Sequence, residues 1–210
     1  MPTNPAKLGN AALAEGIAHG EAGVVLFLAE YAHATGDPAA VRAARDAGDR
    51  LAALTPGLVA RAAAPDASRR YGSWCRGLAG IGSVLLTAAD RLAEPGYRDL
   101  AEACADACAR CAPLMPQVIQ CCGLAGVGDF LIDTALATGA ERRWAEAGAV
   151  ARLVLARSGG SWSKPDFPDV NLTRTSAGWA GGAAGMLAFL RRLRDHGGPR
   201  VAHPAVRPGP

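Results

Sequence analysis

The sequence is poor in aromatic residues and contains no long apolar segment. Aromatic side chains make up 5% of the 210 residues, although 50% of the residues are hydrophobic and 26 are glycine. Small side chains let helices approach closely, so this composition favours packed helices over an aromatic-rich β-sandwich. No apolar run approaches the roughly 20 residues that span a bilayer, and the N-terminus lacks the apolar centre of a signal peptide. We therefore expect a cytoplasmic protein with no membrane partner.

The charge is also small and unpatterned. The formal net charge is +3, and the arginines alternate with carboxylates, as in RAARDAGDR at 42–50. Nucleic-acid-binding surfaces need a basic stripe, often with interleaved aromatic residues, and neither is present. We expect no nucleic-acid partner. The chain has 6 cysteines, which in a reducing compartment indicate metal binding, catalysis or core packing rather than disulfides.

A short glycine-rich motif occurs four times, at intervals of roughly 50 residues, the length of a helix pair with its loops. The copies are HGEAG at 19–23, RGLAG at 76–80, CGLAG at 122–126 and AGWAG at 177–181. We take Gly20, Gly77, Gly123 and Gly178 as equivalent. Each copy precedes an apolar segment with helical periodicity.

The periodicity predicts seven helices, which alternate between a nearly all-apolar, glycine-headed type and a more charged type. Asp37 is predicted as the N-cap of the second helix, with Pro38 at its first position. The predicted helices span about 22–35, 38–54, 78–93, 96–112, 124–138, 140–157 and 179–194. Such alternation is typical of an all-α fold, an α/α barrel with inner and outer helices or part of one. All glycine-headed helices would then begin at one rim. Residues 1–194 form this domain, and we expect residues 195–210 to be a disordered tail.

The cysteines fall into two groups. Cys104, Cys108 and Cys111 share one helical stripe and are predicted to pack in the core. Cys75, Cys121 and Cys122 each lie directly before a glycine-headed helix, where backbone N–H groups and the helix dipole favour the thiolate.

If neighbouring repeats stack, these last three cysteines reach the same rim. Three thiolates around Zn²⁺ leave a fourth position open, as in catalytic zinc sites. Two other interpretations fit the same residues: a need for small side chains at crowded helix starts, and a redox-active Cys121–Cys122 pair.

His19 occupies the equivalent place in the first repeat, so it should face the same rim. A histidine there is either a general acid or a structural residue. Glu21 and Asp129 are the acids near the rim, and we interpret both as helix N-terminal charges. The shortage of paired carboxylates and aromatic residues weakens a third hypothesis, an α/α-barrel enzyme acting on sugars or polyisoprenoids.

The segments GIAHGEAG, WCRGLAG and CCGLAG, in that order, resemble the lanthionine synthetase C-like cyclases and the cyclase domains of multidomain lanthipeptide synthetases. The resemblance covers about residues 9–194 and implies an α/α barrel with three zinc ligands, here Cys75, Cys121 and Cys122. His19 matches the family's active-site histidine. The implied substrate is a dehydrated precursor peptide, in which a cysteine thiol adds to dehydroalanine or dehydrobutyrine and closes a thioether ring.

Two residues depart from the commonest family pattern. Cys122 stands where many members have histidine, which gives a Zn²⁺ site a net charge of about −1. Arg76 stands where an aromatic residue is frequent.

The chain also shows four glycine-headed helices where the resemblance implies about seven. We therefore expect the C-terminal part of a larger synthetase with an upstream dehydratase or kinase-like domain, or a shortened protein that needs a partner subunit. The alternative function is a non-catalytic or truncated module that binds a peptide or protein partner.

Overall fold

The computed structural model describes residues 15–64, 67, 71–161, 163–169 and 175–197. Within these ranges the fold is all-α, as predicted, with one short β-hairpin. The helices are α1 (Glu21–Thr35), α2 (Pro38–Ala62), α3 (Leu78–Arg91), α4 (Gly96–Cys111), a 3₁₀ turn (Ala112–Leu114), α5 (Leu124–Thr138), α6 (Arg142–Ala156) and α7 (Ala183–Arg194). The hairpin pairs β1 (Gly159–Ser161) with β2 (Lys164–Asp166) in antiparallel register. None of these helices combines the length and the apolarity that crossing a bilayer requires.

The helices form two layers that follow the predicted alternation. The glycine-headed helices α1, α3, α5 and α7 lie in one row, each packed against the next, and α2 and α4 pack behind α1 and α3, with α6 behind α5. Alanine, leucine, cysteine and phenylalanine side chains fill the core between and within the layers. Closure of these layers into a ring stays a prediction.

The fourth repeat begins four residues later than the sequence indicated. Gly182, rather than Gly178, is the N-cap of its helix and has the same extended backbone as Gly20, Gly77 and Gly123. Residues 178–181 and 182–185 both read Gly-x-Ala-Gly, so the motif alone does not separate them. In the folded chain the first of these copies forms the loop before the helix, so α7 starts at Ala183 and not at 179.

The second helix is longer than predicted. We expected it to end near residue 54, because residues 55–73 have the composition of a polar, turn-rich loop. The helix instead continues through Pro56 to Ala62. Thr55 and Leu58 are buried beyond the predicted end, so packing of this face outweighs the local cost of the proline. Asp37 caps the helix as expected, with its side chain accepting from the Ala39 N–H at 2.8 Å.

The domain limits 1–194 and 195–210 stay a prediction. Residues 1–14 and 198–210 lie outside the described residues, so most of the predicted tail does as well.

Candidate metal centre

The four loops that precede the glycine-headed helices share one backbone arrangement and are bonded to each other in sequence. The Ala18 N–H donates to the Cys75 carbonyl at 3.0 Å, the Cys75 N–H to the Cys121 carbonyl at 3.0 Å, and the Cys121 N–H to the Ala180 carbonyl at 2.9 Å. All four donors and acceptors lie two residues before an N-cap glycine. The repeats therefore do place their helix starts side by side at one rim.

A glycine at the third helical position lets each helix begin against its own loop. At Gly126 a Cβ atom would lie 2.2 Å from the Gln120 carbonyl oxygen, and at Gly80 it would lie 2.0 Å from that of Trp74. Any larger residue would push the loop away from the helix. The repeated Gly-x-Ala-Gly motif is thus a packing requirement that holds the residues of the rim in place.

Two of these loops bring three cysteine sulfurs together. The Sγ atoms of Cys75 and Cys122 are 3.1 Å apart, those of Cys121 and Cys122 are 3.6 Å apart, and all three lie within 4.8 Å of one another. Cys75 is buried, with 2% of its surface exposed, whereas Cys121 and Cys122 are half-buried. The cluster therefore opens to the rim on the side of the Cys121–Cys122 pair.

The donor set fits a thiophilic divalent cation. Zinc binds thiolates at about 2.3 Å in a tetrahedron, which separates the sulfur atoms by about 3.8 Å. The Cys75–Cys122 and Cys121–Cys122 separations are shorter than that value, and no separation in the cluster exceeds 4.8 Å. Cys75, Cys121 and Cys122 form the one group in the described part of the chain that has metal-binding geometry. Three protein ligands leave the fourth tetrahedral position for a substrate.

Without a cation, the thiols of Cys75 and Cys121 hold on to their protons. Hydrogen bonding to Cys122 and Cys75, together with burial, raises the pKa of Cys121 far above that of an ordinary thiol. The hydrogen bond with Cys121 lowers the pKa of Cys75. The hydrogen bond with Cys122 and burial together raise it by more, so the net shift of this pKa is upward. The pKa depression expected from the helix starts is therefore not found for Cys75 and Cys121, because hydrogen bonds among the thiols and burial outweigh it.

The helix N-termini do not offset this upward shift of the pKa, since loop carbonyls accept from the first N–H group of α3 and of α5. The Leu78 N–H donates to the Tyr71 carbonyl at 2.7 Å, and the Leu124 N–H donates to the Gln117 carbonyl at 3.0 Å. A bound divalent cation would supply the positive charge that the three thiolates need.

His19 and Arg76 border the cluster on the same rim. Each lies directly before its N-cap glycine, as Cys122 does, so the three residues hold equivalent positions in consecutive repeats. The His19 side chain is exposed and that of Arg76 is half-buried. The hydrogen bond from the Ala18 N–H to the Cys75 carbonyl fixes the His19 loop beside the cysteine cluster, and His19 does not belong to the group that could hold a metal. Its catalytic role stays a prediction.

The other cysteines pack in the core, as predicted. Cys104 and Cys108 are fully buried and Cys111 is 7% exposed. The Cys108 thiol points to the Gly72 carbonyl and the Cys111 thiol to the Ala62 carbonyl, both at 3.8 Å. Burial raises the pKa of Cys104 to about 12, so this thiol stays protonated at neutral pH.

Asp129 has a different role from the one predicted. Glu21 does lie in the first turn of α1, but Asp129 is buried in the middle of the helix row, with 5% of its surface exposed. Its carboxylate accepts from the Gln120 amide at 2.8 Å and pairs with Arg192 at 3.2 Å. Arg192 also binds Asp133 at 2.6 Å. This network, which sequence reasoning missed, anchors the residue directly before Cys121.

Comparison with known proteins identifies a family. The model of the lanthionine synthetase C-like protein family matches residues 7–203, nearly the whole chain and all four glycine-headed helices. A comparison with curated proteins gives no significant match.

Proposed function

The chain belongs to the lanthionine synthetase C-like family, and we propose that it is a zinc-dependent cyclase module that forms lanthionine or methyllanthionine rings. The observation that supports the proposal is the rim cluster, in which the sulfur atoms of Cys75, Cys121 and Cys122 lie within 4.8 Å of one another and are accessible from one side. The substrate is a peptide in which serine or threonine has already been dehydrated.

Cys75, Cys121 and Cys122 are the residues that would hold zinc. When bound, zinc lowers the pKa of a thiol that enters its open position and so provides a nucleophile at neutral pH. The protein contributes the geometry, because the Cys75 N–H bonds the Cys121 carbonyl and locks the two loops together. Three thiolates also make the centre more electron-rich than one with a neutral histidine ligand.

His19 is the proposed acid of the reaction. The substrate sulfur forms a bond to the β-carbon of the dehydroamino acid, the double-bond electrons move onto the carbonyl, and the resulting enolate is protonated at the α-carbon. The proton lost by the thiol balances the proton gained by the α-carbon, so no further reactant is needed. The exposed His19 imidazole beside the Cys75 loop is our candidate to deliver that proton, and the bond from the Ala18 N–H to the Cys75 carbonyl supports this assignment.

Arg76 provides a positive charge between His19 and Cys122 in the order of the repeats. A guanidinium keeps its charge at any physiological pH. We propose that it stabilises the enolate oxygen and offsets the net negative charge of the metal centre, roles that an aromatic residue at this position would fill differently.

Metal analysis of the purified chain tests the first step. We expect about one equivalent of zinc, lost in Cys75→Ala and retained in Cys104→Ala, a control that removes an equally buried thiol from the core. A chain without zinc, or zinc that survives Cys75→Ala, would contradict the proposal.

Ring closure tests the second step. A dehydrated peptide with one cysteine should lose its free thiol, measured by alkylation and mass spectrometry, without a change in peptide mass. Zinc binding without ring closure would instead support the alternative, a non-catalytic module that binds a peptide or protein partner.

A further inference from the structure

The loop before α7, the fourth of the rim loops in chain order, repeats the geometry of the third. The Cys121 N–H donates to the Ala180 carbonyl at 2.9 Å, as the Cys75 N–H donates to the Cys121 carbonyl at 3.0 Å. Gly182 caps α7 with the same extended backbone with which Gly123 caps α5. The fourth loop therefore lies against the third as the third lies against the second.

Side-chain contacts between the loops follow the same equivalence. A Cβ built on Gly185 of α7 would lie 2.6 Å from the Gln120 Cβ in the third loop, and a Cβ built on Gly126 of α5 would lie 2.9 Å from the Trp74 Cβ in the second. The Trp74 ring also meets the Trp179 ring of the fourth loop edge to face, with centroids 6.0 Å apart. The fourth loop is thus held in place by both of the loops that carry cysteines.

The two pairs of loops differ at the residue directly before the N-cap glycine. In the third loop this residue is Cys122, and its Sγ lies 3.1 Å from the Sγ of Cys75 in the second loop. In the fourth loop it is Gly181. The same relation, applied one repeat further along the row, would direct a side chain of residue 181 toward Cys121. Since glycine has no side chain, the fourth loop adds nothing to the cluster at this point.

Neither the backbone nor the packing requires glycine at position 181. A glycine is needed where φ is positive or where another group approaches closely. Gly181 does not have a positive φ, and a Cβ built on it would have nothing within 4 Å. At the adjacent Gly182, by contrast, a Cβ would lie 2.2 Å from the Ser176 carbonyl oxygen. The fold therefore explains Gly182 and leaves the lack of a side chain at Gly181 to another cause.

We infer that Gly181 keeps the cysteine cluster open on the side of Cys121, so that a substrate thiol can enter there. Cys121 and Cys122 are half-buried whereas Cys75 is buried, so the accessible side of the cluster is the one next to the fourth loop. The inference rests on the proposed function, because it concerns the position that three protein ligands leave to a substrate. A cysteine at position 181 would supply a fourth thiolate and close the centre, as in structural zinc sites.

Cobalt(II), loaded in place of zinc, reports directly on the open position. Its charge-transfer absorption grows with the number of bound thiolates, so 2-mercaptoethanol added to the loaded 210-residue chain should raise that absorption by about one third as a fourth thiolate joins three. Gly181→Cys should start at the higher absorption and not respond to 2-mercaptoethanol. It should also bind zinc roughly tenfold or more tightly than the parent chain in competition with a chelator, because it adds a ligand.

Two control variants isolate the effect of the thiolate at position 181. Gly181→Ser fills nearly the same space without a sulfur ligand, and Gly57→Cys adds a thiol at an exposed position of α2 with nothing within 4 Å. Both should respond to 2-mercaptoethanol as the parent chain does. A parent chain that binds neither cobalt nor zinc contradicts the proposed function and this inference with it. A loaded parent chain together with a Gly181→Cys variant that still binds 2-mercaptoethanol overturns this inference alone.

A second measurement uses the metal-free chain and does not depend on the folding of Gly181→Cys. Gly181→Leu, which has no ligand atom, should slow the alkylation of Cys121 by N-ethylmaleimide several-fold, because its side chain would cover the Cys121 sulfur. Mass spectrometry with fragmentation of the modified peptide separates the adduct of Cys121 from that of Cys122. Gly57→Leu is the control and should leave the rate unchanged. An unchanged rate in Gly181→Leu would show that residue 181 does not line the opening and would reject the inference.

Discussion

Replacing Gly126 by alanine should destabilise the fold and disturb the cysteine cluster together. Gly126 is the third residue of α5, and its added Cβ would lie 2.2 Å from the Gln120 carbonyl oxygen and 2.9 Å from the Trp74 Cβ. The first distance is more than 1 Å shorter than an ordinary van der Waals contact. The neighbour is backbone, which cannot rotate away as a side chain would, so the loop carrying Gln120, Cys121 and Cys122 must move.

The magnitude follows from two opposing effects. Overpacking a buried position costs about 1–3 kcal/mol, and a clash with backbone belongs at the upper end. Alanine in a helix regains up to about 1 kcal/mol over glycine. We therefore expect Gly126→Ala to lower the free energy of unfolding by about 2 kcal/mol. Displacement of the cysteine loop should also weaken zinc binding by about 10–100-fold, the usual effect of disturbing the residues that orient metal ligands.

Urea unfolding and competition with a chromophoric zinc chelator measure the two effects separately. Gly57→Ala is the matched control: Gly57 is exposed inside α2, with nothing within 4 Å of an added Cβ. This control should raise stability by about 0.5–1 kcal/mol and leave zinc affinity unchanged. Gly82→Ala should destabilise through the Phe130 ring alone, without an effect on zinc. The reasoning fails if Gly126→Ala is as stable as the parent chain, or if its zinc affinity is that of Gly82→Ala.

Two further results are expected. His19→Asn should retain zinc and slow ring closure by about 10²-fold or more; loss of zinc would make His19 a ligand, and a normal rate would make it a structural residue. The free energy of unfolding should fall in acid, because the fully buried Arg143 bonds the carboxylates of Glu102, Asp106 and Glu146. Arg143→Met should lower the free energy of unfolding at pH 7 by about 3 kcal/mol. Burial raises the pKa of Glu102, but hydrogen bonds from Arg143 and Thr138 lower it by more, so the net shift is downward. Since the folded pKa is below the unfolded value of about 4.3, this stabilisation is complete above about pH 5 and is lost as the pH falls through the folded pKa. Urea midpoints between pH 7 and pH 3 check this, and a parent midpoint independent of pH would contradict it.

Local sequence features were sufficient to predict most helices. A glycine N-cap followed by an apolar segment with helical periodicity was enough to predict α1, α3 and α5 to within two residues at each end. The Asp37–Pro38 pair was enough to predict the start of α2. The predicted end of α2 was wrong because turn-rich composition is a local signal, whereas Leu58 is buried by packing against the rest of the fold.

The start of α7 was wrong for a related reason. Two consecutive copies of the motif, at 178–181 and 182–185, satisfy the same local pattern. The extended backbone of Gly182 and the bond from the Cys121 N–H to the Ala180 carbonyl show that the first copy is the loop and the second begins the helix.

The candidate site was predictable where it depends on repeat register and not where it depends on distant pairing. Equivalence of the helix starts was enough to bring Cys75 beside Cys121 and Cys122, because stacked repeats align such positions. The partner of Asp129 lies 63 residues away in α7, and the sequence contains no local sign that Arg192 turns toward it. An acid near a helix start was therefore interpreted as an N-terminal charge, although its burial requires a paired cation.

The pairing of Asp129 with Arg192 also makes the fourth repeat part of the candidate centre, although that repeat supplies no ligand. Gln120 directly precedes the two cysteines, and its amide donates to the carboxylate that Arg192 holds. The Cys121 N–H donates to the Ala180 carbonyl in the loop before α7. One bond fixes the backbone of the cysteine loop from the rim and the other fixes it from within the helix row. The positions of Cys121 and Cys122 thus depend on α7 as well as on α5.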